Sequence, residues 1–314
     1  MRIAIFGAGA VGGTLAALLA RAGFEVSVVA RGQHLAAIQL NGLRFQTPDE
    51  EFVVNVIASD DASQLGQQDL VICTLKAYSL PAAATSLASL LGEDTPVVFA
   101  QNGIPWWYFD NDESSEYQSL RESIGLQRVI GCVVQCPATV IRPGVIRLSQ
   151  NHLKFFLGER TDVLTPRLQK IKTELEATLP ITLTTEIRTE IWNKLRINVA
   201  SSLLTTLTHS YTSDVLKIPA LKTQFLQLLA ETRAVAAGYG VNIDQADEHL
   251  LARFYRQKHA PSMLQDLLAH RPMEIDVQLQ RLQTLARKAQ VATPLLDILL
   301  PLLQQRVLAT AEVR

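Results

Sequence analysis

The feature that most constrains this chain is a strand, a glycine turn, a helix and a second strand, all within its first 31 residues. Arg2-Ile3-Ala4-Ile5-Phe6 is a short apolar run, and Gly7-Ala8-Gly9-Ala10-Val11-Gly12 follows it as G-x-G-x-x-G. Leu15, Leu18 and Leu19 then recur at helical spacing over residues 14–22, and Glu25-Val26-Ser27-Val28-Val29-Ala30 reads as the next strand. Each glycine has its own task. Gly7 permits a tight turn, Gly9 lets the backbone approach a pyrophosphate, and Gly12 lets the helix close on the strand. The helix N-terminus then presents N–H groups to phosphate oxygens. Such a turn can also join strand to helix with no ligand, but the strand-helix-strand setting is the one a dinucleotide site requires. Gly7, Ala8, Gly9, Ala10, Val11 and Gly12 are therefore read as cofactor contacts.

The end of the second strand bears on which dinucleotide. An NAD site usually carries Asp or Glu there for the ribose 2′-hydroxyl, whereas this chain has Ala30-Arg31-Gly32-Gln33-His34. Glu25 stands at the opposite end of the strand. Arg31 suits a 2′-phosphate, which its guanidinium can meet with forked, charge-assisted bonds. That favours NADP(H). An exposed arginine opening a loop is the plainer alternative and leaves NAD open.

With 314 residues the chain has room for two domains, and 48% hydrophobic residues can fill their cores. A net charge of −1 gives no electrostatic footprint for nucleic acid or a membrane surface. No uncharged apolar run reaches spanning length and no export leader is legible, so a cytoplasmic protein handling a small soluble ligand is expected. Cys73, Cys132 and Cys136 lack the spacing of a zinc site, and no metal is expected. Cys73 lies in an apolar strand, where a free thiol behaves as a small hydrophobe.

Residues 69–75 and 96–100 read as further apolar strands and residues 80–91 as a helix between them, while residues 41–56 hold a short hairpin turning near Pro48-Asp49. Alternating strands and helices predict an α/β fold with a Rossmann-type doubly wound parallel sheet, whose ligands bind beyond the carboxyl ends of the strands. Lys76 and Asn102 follow two of those ends. Lys76 is either a cofactor contact or a solvated loop lysine, and Asn102-Gly103 either a ligand contact or only a turn. Trp106-Trp107-Tyr108-Phe109 opens an insert-like stretch over residues 104–126 and is expected to line a substrate mouth or a subunit contact. Residues 129–157 look like extra strands, 166–179 a helix and 181–185 a last strand.

From residue 186 the periodicity is helical, over 186–207, 218–239, 244–258, 273–289 and 294–308. The expected organisation is a dinucleotide domain over 1–185 and an all-α C-terminal domain over 186–314. Its apolar helix faces suit a homodimer. Lys194, Asn198 and Ser202 are four apart and share one face of the first helix, each about 6 Å further along. A lysine with two hydrogen-bonding side chains suits an anionic, oxygen-rich substrate. Glu274 near a helix start is favoured by the macrodipole alone, and Lys194 is equally readable as a solvated lysine.

Taken together, the chain resembles the ketopantoate reductases (2-dehydropantoate 2-reductases) of the 6-phosphogluconate dehydrogenase-like superfamily. The match is carried by the glycine turn, Arg31, Leu75-Lys76, Gln101-Asn102-Gly103, Trp192-Asn193-Lys194-Leu195 with Asn198, Ser262-Met263-Leu264-Gln265-Asp266, and Glu274-Ile275-Asp276. The resemblance implies reduction of a 2-oxo acid to the 2-hydroxy acid by hydride from NADPH. It implies Lys194 as general acid and Glu274 as the second catalytic group, which also helps hold the cofactor end. Asn102, Asn198, Ser202 and Ser262 would bind substrate, and Lys76 and Asn102 would orient the nicotinamide. Where well-studied members carry a second asparagine one turn after Asn198, this chain has Ser202. A different 2-oxo acid on the same scaffold is the alternative that this change opens. A non-catalytic NADP(H) sensor is the alternative of another class, against which Lys194 and Glu274 together argue.

Overall fold

A computed structural model describes residues 1–109, 115–243, 247–255 and 260–312. The chain separates into two compact units: residues 1–101 with 106–187, and residues 188–314 with the four-residue segment Asn102–Pro105.

Unit 1 runs β1 (Arg2–Phe6), α1 (Ala10–Arg21), β2 (Glu25–Val29), α2 (Gly32–Asn41), β3 (Leu43–Gln46), β4 (Glu51–Val54) and β5 (Ile57–Ser59). It continues with β6 (Leu70–Cys73), α3 (Leu80–Ala88), β7 (Val97–Ala100), α4 (Gln118–Ser123), β8 (Val129–Gln135), β9 (Ala138–Arg142) and β10 (Val145–Leu148). β11 (Lys154–Glu159), α5 (Pro166–Leu175) and β12 (Ile181–Leu183) complete it. Eight strands form one sheet in the order β12-β11-β8-β7-β6-β1-β2-β5. From β8 to β5 the pairs are parallel, and β11 pairs antiparallel with β8. The order reverses at β1, between β2 and β6, so the carboxyl ends of β1 and β6 mark the switch point where such sheets bind ligands.

The hairpin β3-β4 and the strands β9 and β10 build a second sheet, β4-β3-β10-β9, which the sequence pattern does not separate from the first. α1 is held between the two sheets. On one side Gly12 meets Ile5 and Thr74, and on the other a Cβ on Gly13 would lie 2.6 Å from Ile146 Cγ1. Small residues on two faces of one helix are what allow both sheets so close.

The aromatic run proves to be core. Trp106, Trp107 and Tyr108 are buried, with the Trp106 ring edge-on to Phe99 at 5.4 Å. Trp107 lies over Gly131, where a Cβ would be 2.5 Å from its ring. The expectation of a substrate mouth or subunit contact is corrected, because the missing side chain at Gly131 makes a slot that the ring fills. Arg121 closes the stretch by donating to the carbonyl of Phe109 at 3.2 Å. Residues 110–114 lie outside the described part.

Unit 2 is helical: α6 (Ile187–Thr208), α7 (Thr212–Lys217), α8 (Pro219–Gly238), α9 (Asp247–Tyr255), α10 (Ser262–Leu268), α11 (Arg281–Lys288) and α12 (Pro294–Glu312). A π-helical turn, Asp276–Gln280, leads into α11. Trp192 stacks on Tyr239 at 6.4 Å within this core. Arg196, fully buried, donates to Asp247 at 2.7 Å, and Arg233 reaches the other oxygen of the same carboxylate at 2.8 Å. That tie joins α6, α8 and α9. Glu231 on α8 accepts from the N–H groups of Leu295 and Leu296 at 2.9 and 3.0 Å, and so caps the start of α12. Among the described residues, no helix is long and apolar enough to cross a membrane.

Candidate active site

The glycine turn is built as an anion cradle. Gly7 takes φ +106, and its N–H donates to the Val29 carbonyl at 3.1 Å, tying the turn to the end of β2. A Cβ on Gly12 would overlap the Gly7 carbonyl oxygen, so α1 can start this close to β1 only with glycine there. Gly9 is different: a Cβ there would meet nothing within 4 Å, so the space before it is open. Gly9 caps α1 with no side chain, and the first bond of the helix runs from Gly13 N–H to its carbonyl at 2.7 Å. The N–H groups of Ala10, Val11 and Gly12 precede that bond and face outward as donors. These features fit a dinucleotide pyrophosphate.

Thr74, which the motif reading passed over, holds the turn from below. Its hydroxyl donates to the Gly7 carbonyl at 2.7 Å and its N–H to the Phe6 carbonyl at 3.0 Å. A threonine directly after an apolar strand was the available signal. One residue before the helix, Arg31 is exposed at the N-cap of α2, just past the end of β2. In the first turn of α2, the imidazole of His34 accepts from the Gly144 N–H at 3.0 Å through Nδ1, which requires that nitrogen unprotonated. Burial lowers the pKa of His34, an effect opposed by the Ala8 carbonyl. Lys76, half-buried, follows β6 at the start of a short 3-10 turn. Gln101 ties the ends of β6 and β7 by donating to the Leu75 carbonyl at 3.0 Å. Burial pushes the Cys73 thiol up to about 12, which suits an inert hydrophobe rather than a nucleophile.

Within unit 2, Asn102 Nδ2 donates to Glu274 Oε2 at 3.2 Å, joining two sequence-selected residues that stand 172 positions apart. Gln278 Nε2 approaches the same oxygen at 3.5 Å. On α6, Lys194 and Asn198 are half-buried, and Ser202, two turns beyond Lys194, is only 2% exposed. The face thus runs from an accessible lysine into the interior. Leu195, Val199, Leu203 and Leu204 are buried on the remainder of that helix. Ser262 is exposed as the first residue of α10. The glycine turn, Arg31 and Lys76 belong to unit 1. Asn102, Lys194, Asn198, Ser202, Ser262 and Glu274 belong to unit 2.

A doubly wound sheet with this glycine turn at its switch point defines the class of dinucleotide-binding folds. Residues 3–161 match the family model "Ketopantoate reductase PanE/ApbA", and residues 186–307 match its C-terminal counterpart. A 2-dehydropantoate 2-reductase of Mesorhizobium japonicum is 38% identical over 97% of both chains. Among solved structures, a PanE/ApbA family ketopantoate reductase from Ralstonia eutropha is 26% identical, with TM-score 0.84 over 97% of this chain and 98% of that one. The ternary structure of D-mandelate dehydrogenase with NADH and anilino(oxo)acetate, at 24% identity and TM-score 0.87 over 98% of this chain and 99% of that one, shares the fold. The chain belongs to the ketopantoate reductase family.

Proposed function

We propose that this protein reduces ketopantoate to pantoate with NADPH, a step toward pantothenate and coenzyme A. The family membership supports the activity, and the Asn102 to Glu274 bond carries the assignment of the site. NADPH, when bound, supplies the hydride for the keto carbon. The cradle of residues 7–12 holds its pyrophosphate, Arg31 pairs with the 2′-phosphate, and Lys76 and Asn102 orient the nicotinamide end. The Lys194 ammonium stabilises the oxyanion that develops on the keto oxygen and gives it a proton. Glu274, held by Asn102, anchors the hydrogen bonds around the substrate, to which Asn198 and Ser262 contribute.

Ser202 favours a second reading, another 2-oxo acid as substrate. It is buried where an asparagine would offer both a donor and an acceptor, and a hydroxyl reaches less far. The deciding experiment follows NADPH consumption by its near-ultraviolet absorbance, with ketopantoate beside a panel of bulkier 2-oxo acids and with NADH as the cofactor control. Fastest turnover of ketopantoate with NADPH supports the first reading. A preference for another acid moves the protein to the second, and silence on every acid despite tight NADPH binding leaves a sensor.

A further inference from the structure

Glu274 is 6% exposed, and its Oε2 is approached by two side-chain amides. Asn102 arrives from the short segment after β7, at 3.2 Å, and Gln278 from the π-helical turn that follows Glu274, at 3.5 Å. Glu274 stands just ahead of the helix start, and the π-helical turn that follows brings Gln278 back to it. An ionised carboxylate only accepts, which orients the Gln278 amide with its nitrogen toward it.

The other end of that amide is unusual. Gln278 is 1% exposed, and its Oε1 is buried with no hydrogen-bond partner among the described residues. A buried acceptor left unpaired is unfavourable, and methionine or leucine would fill the same volume without that cost. Packing therefore does not account for glutamine here. The backbone around it is also specialised. Gln278 lies at the centre of the π-helical turn, whose Val277 carbonyl accepts from the Ile104 N–H at 3.2 Å. Gly103, at φ +78, presses on that carbonyl closely enough that a Cβ would overlap it. The turn that carries Gln278 thus also binds the segment that carries Asn102. π-turns of this kind are often found at functional sites.

We infer that Gln278 is a positioning residue for Glu274, a role that rests on the reductase reading above. Its nitrogen and that of Asn102 hold one carboxylate oxygen, Oε2, from two segments of chain. Gln278 Oε1, without a partner among the described residues, is an acceptor for a hydroxyl or water.

Two variants and one structure test this. Gln278→Met keeps length and packing but removes both polar ends. Gln278→Glu keeps an acceptor, removes the donor and sets a like charge against Glu274. Each is measured for melting temperature, NADPH affinity by fluorescence, and kcat and KM on the 2-oxo acid that the parent turns over best. The expected result for Gln278→Met is a kcat/KM lower by about 10- to 100-fold, the scale of a misplaced catalytic group. NADPH affinity should stay within about twofold, since the cradle is untouched, and Gln278→Glu should be slower still. In the crystal structure of Gln278→Met, the Glu274 carboxylate should have turned away from Asn102. A purely structural role would move the melting temperature and leave the rates. Gln278→Met with parental kcat/KM, or with Glu274 unmoved on Asn102, overturns the inference. A parent inactive on every 2-oxo acid overturns the reductase reading instead, and Gln278 is then judged on the crystal structure alone.

Discussion

Alanine at Gly9 and at Gly12 should separate binding from folding. A Cβ on Gly12 would overlap the Gly7 carbonyl oxygen and stand 2.5 Å from Thr74 Oγ1, where ordinary contact begins at 3.4 Å. Clearing Thr74 alone demands about 0.9 Å of movement by α1, and Ile146 behind Gly13 resists it from the second sheet. Overpacking of this kind costs about 1–3 kcal/mol. For a unit of this size, that lowers the melting temperature by roughly 2–12 °C. Affinity for the dinucleotide falls too, because the donors of the first turn travel with the helix.

Gly9 has no such neighbours, and its φ of −65 and ψ of −165 are open to alanine. Gly9→Ala should therefore fold as well as the parent, or better by up to about 1 kcal/mol through the unfolded chain. Its methyl group would instead occupy the approach of the pyrophosphate. Losing one charge-assisted hydrogen bond is worth about 1.5–3 kcal/mol. That is roughly a 10- to 140-fold weaker NADPH complex. Fluorescence titration with NADPH and thermal melting of the free protein give both quantities. Parental affinity in Gly9→Ala, or a melting temperature as low as that of Gly12→Ala, would refute the division of labour among the glycines.

Four further outcomes are expected. Lys194→Ala should lose kcat by about 100-fold or more, the scale of general acid catalysis, with NADPH affinity nearly unchanged; stopped-flow turnover and titration decide it. Arg31→Ala should weaken NADPH by about 1.5–3 kcal/mol while sparing NADH, and equal losses for both would remove the 2′-phosphate contact. Asp247→Ala takes the carboxylate from the buried Arg196 and from Arg233 and should destabilise by about 3 kcal/mol in urea melts, the low end for a broken buried pair because Asp247 is partly exposed. His34 has a folded pKa below its ordinary 6.5, so its neutral form is favoured in the folded protein. Its cost is absent above pH 6.5 and grows as pH falls from there through the lowered value, and His34→Gln should flatten that part of a plot of melting temperature against pH.

What the sequence disclosed follows from the range of the forces that decide each element. The β1-turn-α1-β2 unit was legible because its spacing of apolar residues and glycines is local, and the structure adds only Thr74 beneath it. Helix α2 is not legible in the sequence: it opens on Gly32 with no acidic residue in its first turn and buries only Leu35 and Ile38. The aromatic run misled for a different reason. Four consecutive rings have no period to say which side is inside, and the answer lay in Gly131, some two dozen residues on, where an absent side chain makes room for Trp107. The candidate site divides in the same way. The four-residue spacing of Lys194, Asn198 and Ser202 is visible in one dimension, although the burial that engulfs Ser202 is not. Residues 102–105 follow a strand of the first unit yet pack with the second, because Asn102 finds its partner in Glu274 and Ile104 in the turn that follows it. The sequence pattern shows that turn as plain helix. Its π character, and with it the place of Gln278, goes with a backbone contact from Ile104, more than 170 residues away, a distance over which no local pattern carries information.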